Sequence, residues 1–244
     1  MPNRLVVFDV DGTLCDTFAV DDECFCATAS QILGVHLDAS SWQGAPNITD
    51  SGILAWLWQS HVGRAPFGDE IEGFLTTFEA ALTLQLQRTP ERFRPITGAA
   101  VLLTHLEKSE WTCALATGGW RRTARLKLQA AGLPVERLLA SADDSQDRGE
   151  IFRLAASRAA AELGVSLGRT VLVGDGSWDV RVASHFGWPF VGVGQGSRAR
   201  RLVESGAIVV IRDFANPANV ETILMECVSP CYYELGAAPS EHPG

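Results

Sequence analysis

Five short apolar runs constrain this chain more than anything else in it: LVVFDV (5–10), TCALAT (112–117), TVLVGD (170–175), PFVGVG (189–194) and AIVVI (207–211). They are continuous rather than alternating, which is the pattern of strands covered by helices on both faces. Amphipathic stretches lie between the later runs. Residues 97–107 carry apolar side chains at 99, 102, 103 and 106. The stretch 121–131 stops at Gly132, 150–163 at Gly164, 178–186 at Gly187 and 197–205 at Gly206. Glycine just past the last periodic residue is a common helix stop. Strand and helix alternate, which predicts an α/β fold with a doubly wound, Rossmann-like parallel sheet.

The first run breaks this rhythm. Between Leu14 and Pro95 no comparable run occurs, and the sequence reads as helices over 21–33, 50–62 and 70–88. Turn-rich WQGAPN (42–47) and GRAPFGD (63–69) separate them, and Asp16 or Thr17 is a natural N-cap for the first. The expected organisation is a core of 1–15 plus 95–228, an all-helical cap inserted at 16–94, and a partly disordered C-terminal tail at 229–244.

Composition narrows the function. Twenty Lys and Arg against 29 Asp and Glu give a net charge of −9, the opposite of a general nucleic-acid binder. Lys108 and Lys127 are the only lysines. The six cysteines (15, 24, 26, 113, 227 and 231) show no zinc-ligand spacing and read as buried or idle thiols in a reducing compartment. No stretch approaches the ~18 apolar residues of a membrane span. The first run is short and interrupted by Asp9, unlike a signal peptide. The expectation is a soluble cytoplasmic protein without membrane or nucleic-acid partners, with monomer and dimer both open.

In open α/β sheets, ligands bind beyond the carboxyl ends of the strands. Here those ends carry Asp9-Val10-Asp11-Gly12-Thr13, Thr117-Gly118-Gly119, and Gly174-Asp175-Gly176 followed by Asp179. Each acid alone could serve a turn or a cap. Converging in one crevice, they repel one another and are costly to bury without a cation. Oxygen donors with no Cys or His among them favour a hard ion, Mg²⁺ by preference.

DVDGT (9–13), a strand ending in Thr117, and GDGSWD (174–179), in that order, resemble the motifs of the haloacid dehalogenase-like hydrolases. DVDGT matches the motif of the family's phosphatases. The insertion at 16–94 matches the helical cap of the branch holding phosphoglycolate phosphatase and beta-phosphoglucomutase. The resemblance implies an Mg²⁺-dependent phosphatase. Its substrate would be a small phosphorylated metabolite (a sugar, polyol or small-acid monophosphate), hydrolysed through an aspartyl-phosphate. Asp9 would be the nucleophile. Asp11 would be general acid and then general base, kept protonated at first by burial and neighbouring negative charge. Mg²⁺ would be held by the Asp9 carboxylate, the Asp11 backbone carbonyl and Asp175, with Asp179 close behind. Thr117 and the Gly118 N–H would hold phosphate oxygens.

One part departs from the family pattern: Arg148 stands where a lysine is usual before the last motif. Lys127 is the alternative phosphate partner; otherwise it reads as a solvated helix position. Asp11 argues against the dehalogenase branch, and the absence of lysine before Lys108 against the phosphonate-cleaving branch. A sugar-phosphate mutase, or a non-catalytic phosphate-binding regulatory protein on the same fold, remains as the alternative. In the cap, GAPNITDSG (44–52) offers Asn47, Thr49, Asp50 and Ser51 as substrate contacts, with Thr49 or Asp50 also suited to cap a helix. Eleven acids face four arginines across 16–94. That disfavours substrates with several remote negative charges and tilts the reading toward a neutral polyol or sugar monophosphate. Trp120 and Trp178 follow two of the motifs directly and would either wall the pocket or pack beneath its rim.

Overall fold

Leu5 and Val7 point to one side of an extended segment and Val6 and Phe8 to the other, and all four are fully buried. A strand apolar on both sides must lie inside a sheet covered on both faces. In the computed structural model, described for residues 3–38, 40–109, 111–135, 138–164 and 167–230, that strand is β1 (Asn3–Phe8). The others are β2 (Trp111–Ala116), β3 (Leu139–Ala140), β4 (Leu167–Gly174), β5 (Phe190–Val193) and β6 (Val210–Ile211). They form one parallel sheet of order β3-β2-β1-β4-β5-β6. Phe8 pairs with Leu115 on β2 and Val173 on β4. Asp9, Thr117 and Asp175 therefore leave adjacent strands within one residue of the same level.

Helices cover both faces. α4 (Ala99–Glu107), α5 (Arg121–Ala130) and α9 (Pro217–Glu226) place Leu102, Leu106, Leu128 and Leu224 against Val6 and Phe8. α6 (Arg148–Leu163), α7 (Ser177–Phe186) and α8 (Ser197–Glu204) place Phe152, Ala155, Val180 and Leu202 against Leu5 and Val7. The doubly wound α/β expectation is met. α9 was not foreseen. It starts with Pro217 in its first turn, and the Asn216 side chain accepts from the Asn219 N–H at 3.1 Å.

Between β1 and β2 lie α1 (Phe18–Leu33), α2 (Asp50–Val62) and α3 (Gly68–Arg88), with a short 3₁₀ turn at Pro90–Arg92. They bury a third apolar cluster of their own around Phe25, Leu57, Trp58, Phe74 and Phe78. Trp120, from the loop after β2, enters this cluster, with ring centroids 5.7 Å from Phe74 and 6.2 Å from Phe25. It is thus packed beneath the rim and ties the three helices to the sheet. Thr17 occupies the N-cap position of α1, but its side chain makes no cap bond, because its hydroxyl is used elsewhere.

Cys15, Cys24, Cys113 and Cys227 are buried and Cys26 is half-buried. Cys231 and most of the expected tail at 229–244 lie outside the described residues. Among the described residues, no helix is long and apolar enough to cross a membrane. Phe74 is fully buried where α1, α2 and α3 meet Trp120. Phe74→Ala is expected to lower unfolding free energy by about 3–5 kcal/mol in chemical denaturation, while a surface change such as Thr76→Ala stays within about 0.5 kcal/mol.

Candidate active site

Where β1 ends, the Asp9 N–H still donates to Val173 O at 2.9 Å, so the nucleophile candidate is fixed by the sheet itself. The residue is 2% exposed. Thr13 Oγ1 donates to Oδ2 at 3.1 Å, and Arg148 Nη2 donates to Oδ1 at 2.7 Å. Arg148 opens α6. Its Nε donates to Asp179 Oδ1 at 2.9 Å, and its guanidinium lies between the Phe152 and Trp178 rings at 5.5 and 5.7 Å. Asp179, in the first turn of α7, accepts the Gly176 N–H at 3.0 Å. Arg148, expected as a phosphate partner, thus bridges two motif acids.

Asp175 is also buried, and its Oδ1 has no hydrogen-bond partner. Its Oδ2 lies 3.3 Å from Arg198 Nη1, which also donates to Gly12 O at 3.3 Å. Gly12 has a φ of 84°, and a Cβ there would collide with Asp175 Oδ2, so both conformation and space require glycine. Asp9, Asp175 and Asp179 each offer an oxygen within 4.8 Å of the others. Burial pushes the Asp9 carboxyl well above the usual range, only partly opposed by Arg148. Burial, and then Asp179, push Asp175 up to about 7. An all-oxygen cluster holding one orphaned, buried carboxylate oxygen fits a hard divalent cation such as Mg²⁺.

Asp11 faces a different set. It accepts Thr17 Oγ1 at 2.6 Å and Lys127 Nζ at 2.6 Å. Lys127 also donates to Asp21 Oδ1 at 2.5 Å. This corrects one expectation and adds to another. Lys127 is fully buried rather than solvated, and Asp11, which has the acids Asp9, Asp21 and Asp175 nearby, also has a cation in direct contact. Burial opposes the charge on Lys127, but Asp11, Asp21 and Asp50 outweigh it and hold its pKa above the ordinary range. Burial raises Asp21 to about 6 and Asp50 well above the usual carboxylate range. The Asp11 side chain stands apart from the Asp9–Asp175–Asp179 cluster.

The loop before α2 meets the strand ends directly. The Asp50 N–H donates to Gly118 O at 2.7 Å, and Asp50 Oδ2 accepts the Trp120 N–H at 3.1 Å. Thr49 Oγ1 caps α2 by accepting from Gly52 N–H and donates to Gln146 O at 2.8 Å. Ser51 Oγ donates to Ala142 O. Thr117 is buried, and its Oγ1 accepts the Gly119 N–H at 3.0 Å. A cleft of about 250 Å³ opens above these groups, lined by Asp9, Asp11, Thr49, Asp50, Thr117, Gly118 and Arg148, with Trp178 as a wall. It is smaller than most sites for drug-sized ligands, ~300–1,000 Å³. Of the expected cap contacts, Asn47 and Ser51 are not among its lining residues: the Asn47 Cβ and carbonyl pack against Gly52 instead.

The family profile described as haloacid dehalogenase-like hydrolase matches residues 3–187. The chain belongs to this family. Solved structures agree with the hydrolase fold. A hydrolase from Pseudomonas syringae superimposes with a TM-score of 0.67 at 22% identity, over 89% of this chain and 98% of that one. A beta-phosphoglucomutase from Clostridium difficile gives 0.66 at 17% identity, over 93% and 98%. CbbY from Rhodobacter sphaeroides, in complex with phosphate, gives 0.65 at 21% identity, over 88% and 96%. A mutant of that protein has been solved with xylulose-1,5-bisphosphate. No curated protein sequence matches the hydrolase.

Sequence reasoning missed the setting of Lys127, and with it Asp21. The signal was there: Ala124, Lys127 and Leu128 share one face of α5, continued by Ala131 just past its end, and the other three are buried core residues. Lys127→Met would leave Asp11, Asp21 and Asp50 without their ammonium. A loss of about 3–5 kcal/mol is expected in denaturant unfolding. Asp21 and Asp175 bind protons more tightly when folded than the usual carboxylate value of 3.8. The native state therefore holds more protons than the unfolded chain between about pH 4 and pH 7, and stability falls as pH rises through that window. In chelator the melting temperature should drop across it, and added Mg²⁺ should raise it more at the upper end than at the lower.

Proposed function

We propose that this hydrolase is an Mg²⁺-dependent phosphatase of a small phosphorylated metabolite, with Asp9 as nucleophile. The observation that carries the reading is the buried Asp9–Asp175–Asp179 cluster, with its orphaned oxygen, whose Asp9 lines a cleft together with Asp11. Residues 16–94 act as a cap over the core of 1–15 plus 95–228 and close the cleft through Asp50 and Thr49. The phosphate-bound CbbY structure on the same fold supports a phosphoryl ligand.

The phosphoryl group is received by the Thr117 hydroxyl and the Gly118 N–H. Arg148, whose Nη1 lies against Gly118, supplies positive charge beside Asp9. An Asp9 oxygen attacks phosphorus in line as the ester P–O bond breaks. Asp11, oriented by Thr17 and Lys127, takes the acidic proton of the bound phosphate monoester monoanion and gives it to the departing alkoxide. Asp11, now ionised, takes a proton from water as that water attacks phosphorus, which releases phosphate and frees Asp9. When bound among Asp9, Asp175 and Asp179, with the Asp11 carbonyl as a further ligand, Mg²⁺ supplies charge neutralisation for the carboxylates and the phosphoryl oxygens.

The test is release of p-nitrophenol from p-nitrophenyl phosphate with Mg²⁺. Asp9→Asn is expected to lower kcat by on the order of 10⁴-fold or more, with the fold retained by circular dichroism. Wild-type turnover in Asp9→Asn would overturn the mechanism.

A further inference from the structure

The chemistry of the cleft narrows the substrate beyond a phosphate ester. Five carboxylates line it (Asp9, Asp11, Asp21, Asp22 and Asp50), against a single cation, Arg148. Arg148 is committed to Asp9 and Asp179, and Lys127 sits fully buried behind Asp11 and Asp21. A second phosphate or a carboxylate on the substrate would find no positive partner there. Asp22 is the distinctive group. It is half-buried on the cleft wall and makes no hydrogen bond or ion pair among the described residues. Burial, Glu23 and Asp38 all work against its charge. Four rings share the wall with Ile48 and Ile53: Phe18 stacks on Trp178 at 6.3 Å and 15°, and Phe25 meets Trp42 edge-on at 5.6 Å. A polyol hydroxyl could donate to Asp22, but it would leave that carboxylate's charge unanswered, and the rings beside it offer its other hydroxyls no partner. An alkylated ammonium group suits both features: its C–H surface packs on aromatic faces and its charge answers Asp22.

We propose that the substrate is a monophosphate ester of an alcohol bearing an alkylated ammonium group, with no second anionic group. This rests on the phosphatase reading and departs from the neutral polyol or sugar favoured by sequence charge alone. Phosphate seats at Asp9 and Arg148, and the cationic end lies against Asp22 and the Phe18, Phe25, Trp42 and Trp178 rings.

The test compares kcat/KM, with Mg²⁺, for phosphocholine, its uncharged isostere in which tert-butyl replaces trimethylammonium, glycerol phosphate and phosphoglycolate. Phosphocholine should exceed its isostere by about tenfold and phosphoglycolate should be poorest. Asp22→Asn should bring the ratio of phosphocholine to isostere close to unity. Equal rates for the isosteric pair in the wild type, or a preference for glycerol phosphate, would overturn the proposal while leaving the phosphatase reading intact. If p-nitrophenyl phosphate and all four esters fail as substrates, the phosphatase reading falls. Calorimetric titration of the same isosteric pair into the Mg²⁺-loaded protein then decides the cation preference by itself. About tenfold tighter phosphocholine binding supports it, and equal affinity or no binding overturns it.

Discussion

Two buried cations divide the acids at the carboxyl edge of this sheet, and the rest of the site depends on that division. Arg148 bridges Asp9 and Asp179, while Lys127 bridges Asp11 and Asp21 with Asp50 close by. Without them, six or more carboxylates would share a poorly solvated crevice, and burial would drive most of them to neutrality. The division also separates chemical tasks. One group gathers the oxygens suited to a metal around Asp9. The other holds Asp11 in place by two contacts of 2.6 Å, from Thr17 and Lys127.

The cations reach these positions because the backbone brings their elements together. Parallel register sets the ends of β1, β2 and β4 side by side, and the helices that follow β3 and β4 begin at that edge. Lys127 comes from α5 on the other face, and its partner Asp21 from the helical layer. Its two ion pairs are therefore part of what joins that layer to the sheet, together with Trp120 among Phe25, Phe74 and Phe78. Removing Lys127 would disturb packing and chemistry together.

The strand ends were legible in the sequence because a local pattern announces them: an apolar run that stops at Asp9, Thr117 or Asp175 needs only parallel neighbours to become a site. The family match over residues 3–187 agrees with that reading. Arg148 was legible by position, just before the last acidic motif. Lys127 was read by its charge when the apolar face of α5 pointed inward. Its partners Asp11 and Asp21 lie 116 and 106 residues away, a juxtaposition no local window contains. Asn47 was expected in the cleft because the resemblance turns this cap loop toward the site and Asn47 is polar, whereas the turn before α2 faces Ile48 and Thr49 into it. Helix α9 was hidden by a polar, Asn- and Pro-containing approach that turned out to be its cap.

A covalent phosphoryl bond to Asp9 is the step on which the proposed chemistry depends. With Asp11→Asn, p-nitrophenyl phosphate and Mg²⁺, the phosphorylated protein should accumulate because water is no longer activated. Acid quenching followed by peptide mass spectrometry should find one phosphoryl group on the peptide that carries Asp9, and none when Asp9→Asn is added. A phosphoryl group on another residue, or full turnover with no adduct at any time point, would rule out Asp9 as the nucleophile.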